Sequence, residues 1–108
     1  DDLVVEAVDA GADGWIAGLV NALPIESVRL FDLARGGDRE ACRELYEWFL
    51  PLLRLDAVPE FVHLVKLCQS EFGIGSERLR MPRIALEGEV RDRALMIIAE
   101  AKMKHARI

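Results

Sequence analysis

The chain has 108 residues and 52% hydrophobic content, enough for one small domain with a core, which excludes a disordered segment. Its 14 Lys and Arg are interspersed among 19 Asp and Glu, for a net charge of -5, so no face offers the basic field that nucleic acid or an anionic membrane surface requires. No apolar run approaches the roughly 20 residues needed to cross a bilayer, and Asp1-Asp2 is not the basic start of a secretory signal, so a cytoplasmic location is expected.

In chain order, Asp2 is placed to cap a short helix whose apolar face is Leu3, Val4, Ala7 and Val8, and Gly11 stands where a left-handed C-terminal residue is wanted. After the turn Ala12-Asp13-Gly14 comes Trp15-Ile16-Ala17-Gly18-Leu19-Val20, a continuous apolar run of strand length. The absence of polar alternation suits a strand buried on both faces of a parallel sheet. A lone strand leaves its backbone groups unpaired, and no second strand or hairpin signal follows. Partners for this strand are therefore expected outside these residues, or distortion in their absence.

Pro24 opens a helix at a position where its missing N–H is harmless. That helix runs through Ser27, Val28, Leu30, Phe31 and Ala34 until Gly36-Gly37 stops it. Asp38 can cap the next, in which Ala41, Leu45, Trp48, Phe49 and Leu52 recur at helical spacing and Pro51 is expected to kink the last turn. A further helix begins near Pro59, carries Phe61, Leu64, Val65, Cys68 and Phe72 on one stripe, and ends at Gly73 and Gly75. The Pro-broken stretch from Gly75 to Gly88 reads as an ordered crossing. Val90, Ala94, Ile97, Ile98 and Ala101 mark a terminal helix. Cys42 and Cys68 fall among apolar helical neighbours and are expected to be buried, reduced thiols.

The series Asp1-Asp2, Gly11 to Pro24, Gly36-Gly37-Asp38, a leucine-rich helix with Pro51-Leu52-Leu53, Lys66 and Leu79-Arg80-Met81-Pro82 resembles, in order and spacing, the C-terminal third of the dihydrodipicolinate synthase and N-acetylneuraminate lyase family. The resemblance implies an α/β fold, here the C-terminal fragment of a (β/α)8 TIM barrel with one strand, the eighth, plus a C-terminal helical extension, mainly α within these residues. Residues 1–36 would be the last αβα part of the barrel (helix 7, strand 8, helix 8) and residues 37–108 the helical extension. The eighth strand would close the barrel between the seventh and the first, both outside this chain.

The activity implied is that of a class I aldolase, lyase or dehydratase that acts on pyruvate or another 2-oxo acid through a lysine Schiff base, with no cofactor. The family's Schiff-base lysine, tyrosine relay and Gly-Thr-Thr-Gly-Glu loop all lie upstream, so no catalytic residue is expected in this chain, which alone should be inactive. Its lysines, Lys66, Lys102 and Lys104, suit surface or helix-terminal roles, because a reactive amine needs a desolvated pocket. The same resemblance puts Ile16 where the eighth strand offers a backbone carbonyl beside the reactive lysine, with Gly14, Trp15 and Ala17 around it. Ile16 and Ala17 are thus the expected substrate-binding positions, although Ile16 also suits barrel-interior packing, and Gly18 to Asn21 should face the site as well.

Trp15 departs from the family pattern, and its bulk must either narrow the site or find a partner for its indole N–H. Asn21 either ties down the loop that follows or contacts substrate. His63 and His105 lie on different helices without a second ligand at i+4, so no metal is expected. Glu40 with Glu44, and Glu87 with Glu89, read as solvated faces. The expected partners are a 2-oxo acid such as pyruvate, the rest of the protein's own barrel and further copies in a homo-oligomer, a tetramer by family habit, with no nucleic acid and no membrane. The contrasting reading is a non-enzymatic helical interaction module, in which the stripes from Leu45 to Leu52 and from Phe61 to Phe72 build a bundle.

Overall fold

A computed structural model describes residues 1–105. Five helices account for the regular structure: α1 (Val4–Asp9), α2 (Pro24–Gly36), α3 (Arg39–Leu53), α4 (Phe61–Glu71) and α5 (Glu89–Lys104), with short 3-10 turns at Leu19–Asn21 and Arg54–Ala57. No strand forms among the described residues.

Local signals account for most helix boundaries. Pro24 occupies the first turn of α2. The Asp38 carboxylate accepts from the Glu40 and Ala41 amides at 2.9 and 3.2 Å and so starts α3. Gly11 and Gly73 adopt the positive φ values of 107° and 76° that end α1 and α4. At α1 the expected cap does not form: Leu3, not Asp2, precedes the helix, and no side chain caps it. The helix packs through Val4, Val5 and Val8 and leaves Leu3 and Ala7 exposed, because its neighbour α2 lies against that side. Pro51 lies within the last turn of α3 without ending it, and a 3-10 turn takes over at Arg54.

The core is built where α3 meets α5 and where α4 closes over both through the Arg54–Ala57 turn. Leu45, Phe49, Leu52 and Leu53 of α3, Leu64, Leu67 and Cys68 of α4, and Ala94, Ile98 and Ala101 of α5 belong to one buried cluster. Trp48 buries its ring beside Phe49 with centroids 5.4 Å apart, and its indole N–H donates to the Ala101 carbonyl at 2.9 Å. That bond ties the middle of α3 to the end of α5 and satisfies a buried donor. The helices α1 and α2 join this body through Val4, Leu23 and Leu30, and the buried Ser27 hydroxyl donates to the Leu23 carbonyl at 2.7 Å. Cys42 and Cys68 are both free and buried, as their neighbours in the sequence imply.

The run from Trp15 to Val20 corrects the strand expectation. Residues 13–17 form no regular element and exchange no backbone–backbone hydrogen bond with another described residue. Gly18 then turns into the helical region (φ -74°, ψ -48°) and Leu19–Asn21 closes a 3-10 turn. Without a neighbouring strand to take alternate N–H and C=O groups, nothing holds the second half of the run in a ladder, and a local i to i+3 bond from the Asn21 amide to the Gly18 carbonyl forms instead.

Candidate functional site

The segment from Gly14 to Asn21 hangs on one carboxylate. Asp1 Oδ1 accepts from the Trp15 indole at 3.2 Å, and Asp1 Oδ2 accepts from the Gly18 and Leu19 amides at 2.9 and 3.0 Å. A charged acceptor shared by three donors is a strong local tie. It supplies the partner that the Trp15 N–H was expected to need. Leu19 is fully buried below this point, whereas Ile16 is fully exposed above it and Ala17 is half-buried.

Two further contacts close the turn. The Asn21 carboxamide donates to the Gly18 carbonyl at 3.0 Å, which is the loop-tying role of the two expected for it. Gln69 of α4 donates to the Asn21 carbonyl at 3.0 Å and links the turn to the helical body. Asp56, from the Arg54–Ala57 turn, lies so close to Gly18 that a Cβ at that position would collide with its carboxylate. Burial, and then the nearby Asp2 carboxylate, push the Asp56 carboxyl above the ordinary carboxylate range. A Cβ at Gly18 would thus displace the Asp56 carboxylate, while the backbone there is not left-handed.

Tyr46 stands next to this corner. Its hydroxyl lies 2.7 Å from the Asp2 carbonyl and 2.8 Å from Glu6 Oε2, and its one proton serves one of these acceptors at a time. Burial, followed by the bond to Glu6, raises the phenol well above its usual range, so it acts as a donor tying α3 to α1.

The lysines lie elsewhere. Lys66 is half-buried on α4, Lys102 donates to the Glu71 carbonyl at 2.9 Å, and Lys104 pairs with Glu100 at 2.7 Å. His63 Nε2 meets the Ile84 carbonyl at 3.0 Å and His105 Nε2 meets Glu26 at 3.1 Å, so the two histidines serve separate contacts. Among the described residues no group of three or more His, Cys, Asp or Glu side chains could hold a metal ion. No helix among them is long and apolar enough to cross a membrane. A hollow of about 660 Å³ between the Gly75 to Gly88 crossing and α5 is lined by Arg78, Arg83 and Arg91 but also by Glu77, Glu87 and Asp92, so its charges offset one another.

Sequence reasoning named Ile16, Ala17, Trp15 and Asn21 but missed Asp1, Asp56 and Gln69 as the groups that set their positions. The one available signal was the indole N–H of Trp15, whose need for an acceptor points to a nearby carboxylate without saying which.

The chain therefore presents a helical body that carries a glycine-flanked segment, residues 13–17, without backbone–backbone hydrogen bonds to the described residues. Its residues 1–101 match the model of the Dihydrodipicolinate synthetase family, and the chain belongs to that family. It is similar to 4-hydroxy-tetrahydrodipicolinate synthase of Kosmotoga olearia, at 34% identity over 82 residues that make up 76% of this chain and 28% of that protein. The enzyme of the same name from Staphylococcus haemolyticus is 33% identical over 90 residues, 81% of this chain and 29% of its own length. That of Pelodictyon phaeoclathratiforme is 30% identical over 89 residues, 82% and 30% respectively. The chain thus spans under a third of the length of the curated relatives it matches. No solved structure matches it significantly.

Proposed function

We propose that the intact protein is a Schiff-base lyase or aldolase of the dihydrodipicolinate synthetase family that acts on pyruvate or another 2-oxo acid, and that this chain supplies one wall of its site. In this reading residues 1–36 are the last αβα part of a TIM barrel and residues 37–108 its helical extension, of which 106–108 lie outside the described residues. The observation that carries the reading is the segment 13–17, without regular structure or backbone partners among the described residues and with Ile16 fully exposed, in a chain of this family. Such backbone is stable in a folded protein when further strands pair with it, and the missing two-thirds of the relatives' length is where those strands would lie.

The chemistry begins when a lysine amine outside this chain attacks the 2-oxo carbon. A C–N bond forms, the carbonyl oxygen leaves as water, and the protonated imine withdraws electrons so that a proton can leave the adjacent carbon. The role of this chain is to present the Ile16 carbonyl and the Ala17 backbone to that amine and to exclude water with the bulk of Trp15. Lys66, Lys102 and Lys104 are bystanders, the latter two already bound within the helical body. The protein works in the cytoplasm, as its reduced thiols suit, and assembles as a homotetramer.

The test is borohydride trapping of the intact protein with pyruvate, followed by peptide mapping. One labelled lysine upstream of Asp1 is the expected result. Absence of any label, or a label on Lys66, Lys102 or Lys104, overturns the reading.

A further inference from the structure

We propose that the outward face of α5 is a docking surface for a second copy of this chain, with the two helices antiparallel. The proposal is independent of the Schiff-base reading. The inner side of α5 is taken up by the core, through Ala94, Ile98 and Ala101. Its outer side carries Met96 and Met103, 73% and 82% exposed and two helical turns apart, with the small, exposed Ala99 between them. Charges flank these methionines. Glu89 and Arg93 come before Met96 and lie 4.0 Å apart, and Glu100 and Lys104 lie beside Met103, 2.7 Å apart.

The order of the signs selects the partner. Along the helix it runs negative, positive, apolar, negative, positive. A copy lying the opposite way, about a two-fold axis beside Met96, sets Arg93 of each helix against Glu100 of the other, and Glu89 against Lys104. Asp92, on the opposite flank of the same face, then falls against the small Ala99. A parallel copy would instead set like charges level with each other. The antiparallel contact uses the same patch on both copies, so it closes at two. Methionines suit such a seam, because their unbranched side chains adapt to one another. A helix of 16 residues is about 24 Å long, short of a standard stable interface, so the pair is weak by itself and depends on protein concentration.

The experiment places a cysteine at Met96 or at Met103 and follows disulfide formation between copies, in the 108-residue chain and in the intact protein with any upstream cysteines replaced. Cys42 and Cys68 are buried and do not compete. In the antiparallel pair Met96 lies beside the axis, whereas the two Met103 positions are about 20 Å apart along the helices, beyond the roughly 7 Å that a disulfide spans. Met96→Cys should therefore cross-link at least about tenfold faster than Met103→Cys. Adding Arg93→Glu should slow the Met96→Cys cross-link about fivefold, and adding Glu100→Arg as well should restore it to within about twofold. Molar salt, which needs no further substitution, should slow it about threefold by screening the same pairs. Equal rates at the two positions, no cross-link, no rescue by the charge swap or indifference to salt each overturn the proposal. So does a Met96→Cys cross-link that the intact protein loses, since the occupant of the face would then be the protein's own upstream chain.

Discussion

The α3–α5 body and the Gly14 to Asn21 segment obey different rules. In the body, apolar side chains from three helices cover one another: Phe49, Leu52, Leu53 and Cys68 have no exposure at all. In the segment, Ile16 is exposed outright and the backbone is held by side chains, chiefly Asp1, rather than by a ladder. The first region is stabilised by what this chain contains. The second has no such cover among the described residues, in a chain whose length is under a third of its relatives'.

Substitutions should separate the two regions sharply. Phe49→Ala removes a fully buried ring at the junction of three helices and should cost about 3–5 kcal/mol in urea unfolding of the chain; a loss under about 1 kcal/mol would mean that the core is not packed as described. Gly18→Ala should cost up to about 1 kcal/mol, because its methyl group must displace the Asp56 carboxylate. A double-mutant cycle checks this: Asp56→Ala should recover most of the loss, and strictly additive effects would show that the close approach is not the cause.

A pH effect is expected in the body. Burial, with a smaller contribution from Glu71, pushes the Cys68 thiol up to about 12. The folded state therefore keeps the thiol neutral while the unfolded chain ionises it from about 8.5. Its contribution to stability is complete below that pH and is lost as pH rises towards 12. Thermal midpoints between pH 7 and pH 10.5 should fall more steeply for the wild type than for Cys68→Ala, and equal slopes would count against the buried thiol.

The smallest expected effect is the most diagnostic. Ile16→Asn should change the stability of the 108-residue chain by no more than about 0.5 kcal/mol, since the side chain is already in water. In the intact protein the same change should lower the thermal midpoint clearly, because the upstream strands would cover that position. A neutral result in both settings would remove the contrast between the two regions.

The helices were legible because their signals are local. Pro24, the Asp38 cap, the glycines at 11 and 73, and the apolar stripe from Leu45 to Leu52 each act within a turn or two of chain. The Asp2 cap failed for a reason that the same signals could not contain: no side chain caps α1, and Asp2 instead offers its carbonyl to Tyr46, 44 residues away. The strand from Trp15 to Val20 failed for a related one. Its apolar pattern reports burial on two faces, but a strand exists only when another strand takes its hydrogen bonds.

By itself, then, the sequence determined the helical body and the buried thiols, since periodicity, caps and glycines are properties of neighbouring residues. Only the tertiary structure decided that Asp1 would hold Trp15, Gly18 and Leu19, that Asp56 would press on Gly18, and that Gln69 would fasten Asn21. These contacts join residues from 14 to 48 positions apart, and where such pairs meet follows from how the helices pack, which no local pattern records.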